Sequence, residues 1–214
     1  MKLPLFVLAA VVALSSAHVS AKVISFPADN FSIDAPEGWV PVPLPPMPPG
    51  CHVLTAARDA ASGNVYSVIK GDLGSSPRPN AFFEGMLKPL TAKGWKASPL
   101  RDETIDGRPF SVFTVSRQTG SPVMLMATTF AGQSAYAVET VSPNGDVEKQ
   151  PVLNAIVQSF HFLQPVRSIG RHDPNLLDFS NPFNISYQLG RLVGILVIAI
   201  VVISIIKKLT RSSR

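Results

Sequence analysis

The chain of 214 residues contains one cysteine, two tryptophans, four histidines and only 15% charged residues. A single thiol, Cys51, cannot form an internal disulfide, so any globular core must hold by burial alone. The stretch from Lys22 to Pro165 is long enough to build one such core. The histidines are too few and too scattered for a metal centre: His18 lies in an apolar leader, and His52, His161 and His172 share no ligand spacing. Gly132-Gln133-Ser134-Ala135 lacks the final glycine of a nucleophile elbow and falls in a predicted hairpin turn. No catalytic constellation stands out, and the expectation is a protein that is not an enzyme and carries no cofactor.

The chain also lacks a basic face in its middle. Its net charge is +5, yet Lys22 to Pro165 holds 11 basic and 12 acidic residues. The excess belongs to Lys2 and to residues 166–214, where it flanks an apolar segment. Such placement reads as membrane topology and lipid contact, and it disfavours nucleic acid as a partner.

Two long apolar runs are what the sequence does have. Met1-Lys2, the run Leu3 to Leu14 and the small residues Ser15 to Ala21 form the three-part pattern of a signal peptide, 1–21. Cleavage after Ala17 and cleavage after Ala21 both fit, and Ala21 is the expected site. At the other end Leu192 to Ile206 is apolar except for Ser204, which covers about 22 Å at about 1.5 Å per residue. A hydrocarbon core is about 30 Å thick, so the flanks must complete the span. Tyr187 can lie at one headgroup layer, and Arg191, Lys207 and Lys208 can snorkel. The expected order is an extracytoplasmic domain (22–164), a connector (165–188), a membrane helix (189–208) and a tail (209–214). The four cations Lys207, Lys208, Arg211 and Arg214 hold that tail in the cytoplasm. Gly190-x-x-x-Gly194 permits close helix approach, so a weak homodimer through the membrane helix is one expectation and an ordinary helix start the other.

Within the domain, Phe31 to Asp34 and Trp39-Val40 read as short strands either side of Pro36-Glu37-Gly38. Six prolines between Pro41 and Pro49 impose a stiff loop. Val53–Arg58 and Val65–Lys70 make a hairpin around the polar turn 59–64. Asn80 is expected to cap a helix carrying Phe82, Phe83, Met86, Leu87 and Leu90, with Pro89 ending it near Lys88. Extended runs follow at 95–103, 109–116, 123–130 and 135–141, with a second helix over 147–160. Val123 to Ala127 is apolar at both parities, so both sheet faces should be covered.

Phe31-Ser32-Ile33-Asp34-Ala35-Pro36-Glu37-Gly38-Trp39 resembles the opening of PsbP/Mog-like domains. Ile105-Asp106-Gly107-Arg108-Pro109 is similar to their mid-domain hairpin, and Val152 to Phe160 to their closing helix. The resemblance implies an α+β fold, an antiparallel sheet with helices on both faces in an α/β/α sandwich, used as a non-enzymatic accessory. In one branch that accessory is an extrinsic subunit of photosystem II, in another a partner of the GTPase Ran.

The expected function is therefore a single-pass membrane protein displaying this domain as a binding or assembly module for an unidentified protein partner. The alternative is a small-ligand or metal carrier, or a hydrolase, with a pocket under the proline-rich segment. Met47, Cys51 and His52 are its candidate metal ligands, because soft sulfur with imidazole suits Cu(I).

Overall fold

The computed structural model describes residues 20–44, 47, 49–74, 78–118, 120–169 and 186–195. The expectations for residues 1–19 and 196–214, which include the leader, Ile206, Lys207 and Lys208, lie outside the described residues.

The first element is a hairpin. β1 (Ala21–Phe26) runs into β2 (Phe31–Pro36) through one turn of 3-10 helix, with Asn30 in the left-handed region at φ 59°. β1 begins at Ala21, which pairs with Pro36, and the Ser20 carbonyl accepts the Glu37 N–H. After β3 (Val40–Pro41), the strands β4 (Cys51–Arg58) and β5 (Val65–Asp72) form the predicted hairpin. Its turn is closed by Asp59, whose carboxylate accepts the backbone N–H groups of Ala61 and Ser62 and the Ser62 hydroxyl. Those bonds lower the Asp59 pKa, the Ser62 hydroxyl most of all.

α1 (Pro79–Ala92) starts one residue before Asn80. Pro79 occupies the first helical position, where its missing N–H would be unpaired anyway, and Arg78 flanks it in extended conformation. Nor does the helix stop at Lys88. Pro89 removes only the bond its own N–H would have made, and the last turn continues to Ala92. The run expected over 95–103 is split at Pro99 into β6 (Lys96–Ala97) and β7 (Arg101–Ile105). β8 (Arg108–Ser116), β9 (Pro122–Ala131) and β10 (Ser134–Val141) then form the antiparallel meander. The second helix is shorter than its apolar pattern. Residues 147–149 are a 3-10 turn, and α2 (Pro151–Gln158) begins where Pro151 fixes φ and holds Gln150 extended. β11 (His161–Phe162) and β12 (Ser168–Ile169) follow, and residues 186–195 form a further helix, α3.

The strands make two sheets. The larger has the order β3-β4-β5-β10-β9-β8-β6, with β12 added to β9 and β7 to β8; the smaller is β1-β2-β11. On one face of the large sheet, α1 and α3 cover Phe113, Met124, Met126 and Phe130; Phe82 and Phe83 pack edge-on against Phe130 with ring centroids 5.6 Å away. On the other face, α2 and the small sheet enclose Phe31, Tyr136, Phe160 and Phe162. The expected covering of both faces is present, but its second layer is a helix together with a three-stranded sheet. Ser159 ties that layer together by donating to the Ile156 carbonyl and accepting the Asp34 N–H.

Candidate functional site

Alternation along β4 decides the fate of the candidate metal ligands. Consecutive strand residues point to opposite faces, so Cys51 and His52 diverge. The Cys51 side chain is buried in the α1-side core with Met47 packed against that core, whereas His52 is exposed and lies 3.7 Å from Asp72. Burial, followed by the nearby Asp72 charge, pushes the Cys51 thiol up to about 11. The three residues do not form one ligand set, and among the described residues no cluster of three His, Cys, Asp or Glu side chains could hold a metal. The acidic residues at the β7–β8 turn are engaged with neighbours. Ser111 donates to Asp102, Arg101 bridges Glu103 and Glu148, and His161 lies 2.7 Å from Asp106.

A groove of about 290 Å³ opens between the two sheets. Ala35, Ala57 and Tyr66 line it, with Lys22 and Ile24 of β1 on one side and Trp39 and Pro41 on the other. The Trp39 ring lies 5.8 Å from that of Tyr66, and burial raises the Tyr66 hydroxyl pKa while a Thr55 hydrogen bond partly opposes the shift. Outside the groove, Val23 and Val40 are exposed on strands that each have a neighbour on one side only among the described residues. Apolar walls, an indole face and adjacent strand edges suit contact with an extended chain or a small apolar ligand. The groove touches the start of the proline-rich segment at Pro41, but Met47, Cys51 and His52 do not line it.

Glu139 was not singled out by the sequence. It occurs in a strand whose other residues read as core, and only the register shows that its carboxyl points inward on the α1 side with Ala137 and Val141. It is 1% exposed, accepts a hydrogen bond from Ser67 Oγ at 2.8 Å, and leaves Oε1 without a partner. Burial raises its pKa to about 7, against the smaller opposing effect of the Ser67 bond.

α3 spans the expected boundary between connector (165–188) and membrane helix (189–208). Tyr187, Leu189 and Val193 are buried, the latter two within the α1-side core. Tyr187 is thus packed in the domain, with Lys88 Nζ 5.8 Å from its ring centroid, while Arg191 is exposed and Leu192 half-buried. The Arg78 N–H donates to Ser186 Oγ, and from there α3 runs alongside α1 in the same direction. A Cβ added at Gly190 would overlap the Phe82 carbonyl, one at Gly194 the Met86 carbonyl, and one at Gly85 the Tyr187 carbonyl. Gly71 similarly makes room for Leu189. Gly190 and Gly194 are therefore occupied by a crossing within the chain, so this glycine face is not open to a second copy while the helices are docked.

Comparison with known proteins places the fold. No family model matches the sequence, and no curated protein matches it. Among solved structures, cyanobacterial PsbP (CyanoP) from Synechocystis sp. PCC 6803 is 16% identical over 69% of this chain and 95% of its own, with a TM-score of 0.51. The Ran-binding protein Mog1p of Saccharomyces cerevisiae is 14% identical, covering 68% of this chain and 96% of its own, with a TM-score of 0.40. The domain has a PsbP-like fold of mixed α+β type with antiparallel sheets.

Proposed function

We propose that the chain is a non-enzymatic single-pass membrane protein that holds its PsbP-like domain outside the membrane as a binding or assembly module for a membrane or envelope partner. The observation that carries this reading is α3. Its buried face belongs to the domain core, and the sequence runs on from it through Leu196 to Ile206 into Lys207 and Lys208. No described helix is by itself long and apolar enough to cross a membrane. The span the reading requires is completed by residues outside the described ones.

Export by the N-terminal leader fits best with cleavage after Ala17. Cleavage after Ala21 would remove the partner of Pro36 and the Ser20 carbonyl that accepts the Glu37 N–H. The partner-binding surface in this reading is the groove beside Trp39 and Tyr66, because it joins an apolar cleft to two strand edges.

Photo-crosslinking of the full-length chain in its native membrane, with probes at Val23 and Val40, tests the reading. A reproducible protein adduct at both rims is expected. Absence of protein adducts there, with the chain intact in the membrane fraction, refutes a partner at this groove. The cavity itself favours a second reading, a carrier of a small apolar ligand. That reading predicts saturable quenching of Trp39 fluorescence by the ligand, lost in Trp39→Leu.

A further inference from the structure

The docking of α3 limits how far the domain can stand from the bilayer. An apolar span of about 30 Å needs about 20 helical residues. Counted back from Ile206, those residues begin at Tyr187, yet residues 187–195 already lie against α1. Beyond Ile195 the apolar run to Ile206 supplies about 16 Å at about 1.5 Å per residue, roughly half of what is needed. While α1 and α3 stay packed, so short a run leaves no spacer between domain and bilayer: with local thinning and snorkelling of Lys207 and Lys208 making up the remaining length, the part of α1 beside Gly194 is drawn to the membrane surface. That part is the last turn, because Gly194 abuts Met86 and Pro89.

Its chemistry suits that position. From Gly85 to Leu100 the sequence carries Lys88, Lys93 and Lys96 and no acidic residue, although the domain as a whole has slightly more acids than bases. All three lysines are exposed and, among the described residues, make no ion pair with an acidic side chain. Arg117 is brought to the same end, since Lys96 pairs with Ser116 and Gly94 lies against Gln118. Trp95 is half-buried beside them, an aromatic of the kind enriched at membrane interfaces.

We propose that residues 88–96, at the end of α1, form a lipid-contacting surface that seats Lys88, Lys93 and Lys96 among anionic phospholipid headgroups beside the chain's own anchor. This rests on the membrane-spanning reading above. It adds that the domain is seated on the bilayer in one orientation instead of hanging from a flexible tether. The lysine stems lie along the apolar boundary while their ammonium groups meet phosphate, and each adds attraction to an anionic surface.

The test uses the full chain reconstituted in vesicles of phosphatidylcholine mixed with phosphatidylglycerol, some of whose headgroups carry a nitroxide. A bimane fluorophore is attached at Ala92→Cys or, in the β9–β10 turn at the opposite end of the sheet, at Gln133→Cys. Severalfold stronger quenching at position 92 than at 133 is expected. A Lys88→Glu, Lys93→Glu, Lys96→Glu chain should lose much of that difference. Equal quenching at the two positions in a chain that resists alkaline extraction overturns the surface and leaves the anchor standing. Release of the chain by alkaline extraction overturns the anchor and the surface together. Adventitious proximity alone would give strong quenching at 92 that the triple substitution does not change, and that result also overturns the role of the lysines.

Discussion

Replacing Glu139 with Gln should raise stability near neutral pH and leave it unchanged in acid. The carboxyl is 1% exposed, and among the described residues it accepts a hydrogen bond from Ser67 Oγ alone, so burial disfavours its charged form. Its pKa rises from the ordinary 4.5 to about 7. Between those values the folded chain keeps a proton that the unfolded chain has released. Stability is therefore fully present below the lower value, falls as pH rises through the window, and levels off above the higher one. At 1.36 kcal/mol per pKa unit, the loss is about 3 kcal/mol. Glu139→Gln removes this titration while keeping the side-chain shape. Urea unfolding of the full chain in detergent micelles, at about pH 4 and about pH 8, measures the contrast. The two proteins should agree in acid, and the variant should be the more stable in base. Because every other side chain is the same in both proteins, the difference between them isolates Glu139. Parallel pH profiles would refute the argument that this carboxyl is buried without adequate compensation.

Gly190→Ala offers a test with opposite signs. In a free helix the change would stabilise by about 1 kcal/mol, but against the Phe82 carbonyl it should destabilise by about 1–3 kcal/mol and speed amide exchange over 187–193, as hydrogen exchange with mass spectrometry would show. Unchanged protection would mean that α3 is not docked. Cys51 should resist maleimide at neutral pH until the domain is unfolded in urea, because its thiol is 1% exposed and pushed up to about 11; rapid labelling of the native chain contradicts its placement in the core. Asp59→Ala should cost about 1 kcal/mol in thermal or urea unfolding by releasing the donors of Ala61 and Ser62, and an unchanged midpoint would show that the β4–β5 turn holds without them.

The hairpin of β4 and β5, the meander of β8 to β10 and the apolar stripe of α1 follow from alternation, turn residues and helical spacing, so they are legible along the chain. Prolines mark the errors of boundary. Pro89 falls in a last turn where one lost bond is tolerable, Pro151 starts a helix that the apolar pattern extends too far back, and Pro99 divides a strand that composition alone would join. The small sheet also escapes a local reading, because β11 joins β2 from more than 120 residues away in a pairing of two residues. The groove shares this difficulty: Lys22, Trp39 and Tyr66 become neighbours only when the two sheets stack.

Local chemistry by itself determined the alternation of apolar and polar residues, the lack of a disulfide, the two apolar ends and the near-neutral domain between them. Those properties need only residue identity and spacing. Tertiary structure decided which surfaces are available for work. It turned Cys51 away from His52, buried Glu139 against Ser67, and set Gly190 and Gly194 against α1. The physical reason is that a strand's register and a helix's neighbour are set by contacts between distant segments. A Gly-x-x-x-Gly pattern states that two backbones can approach closely, but it does not state which backbone arrives.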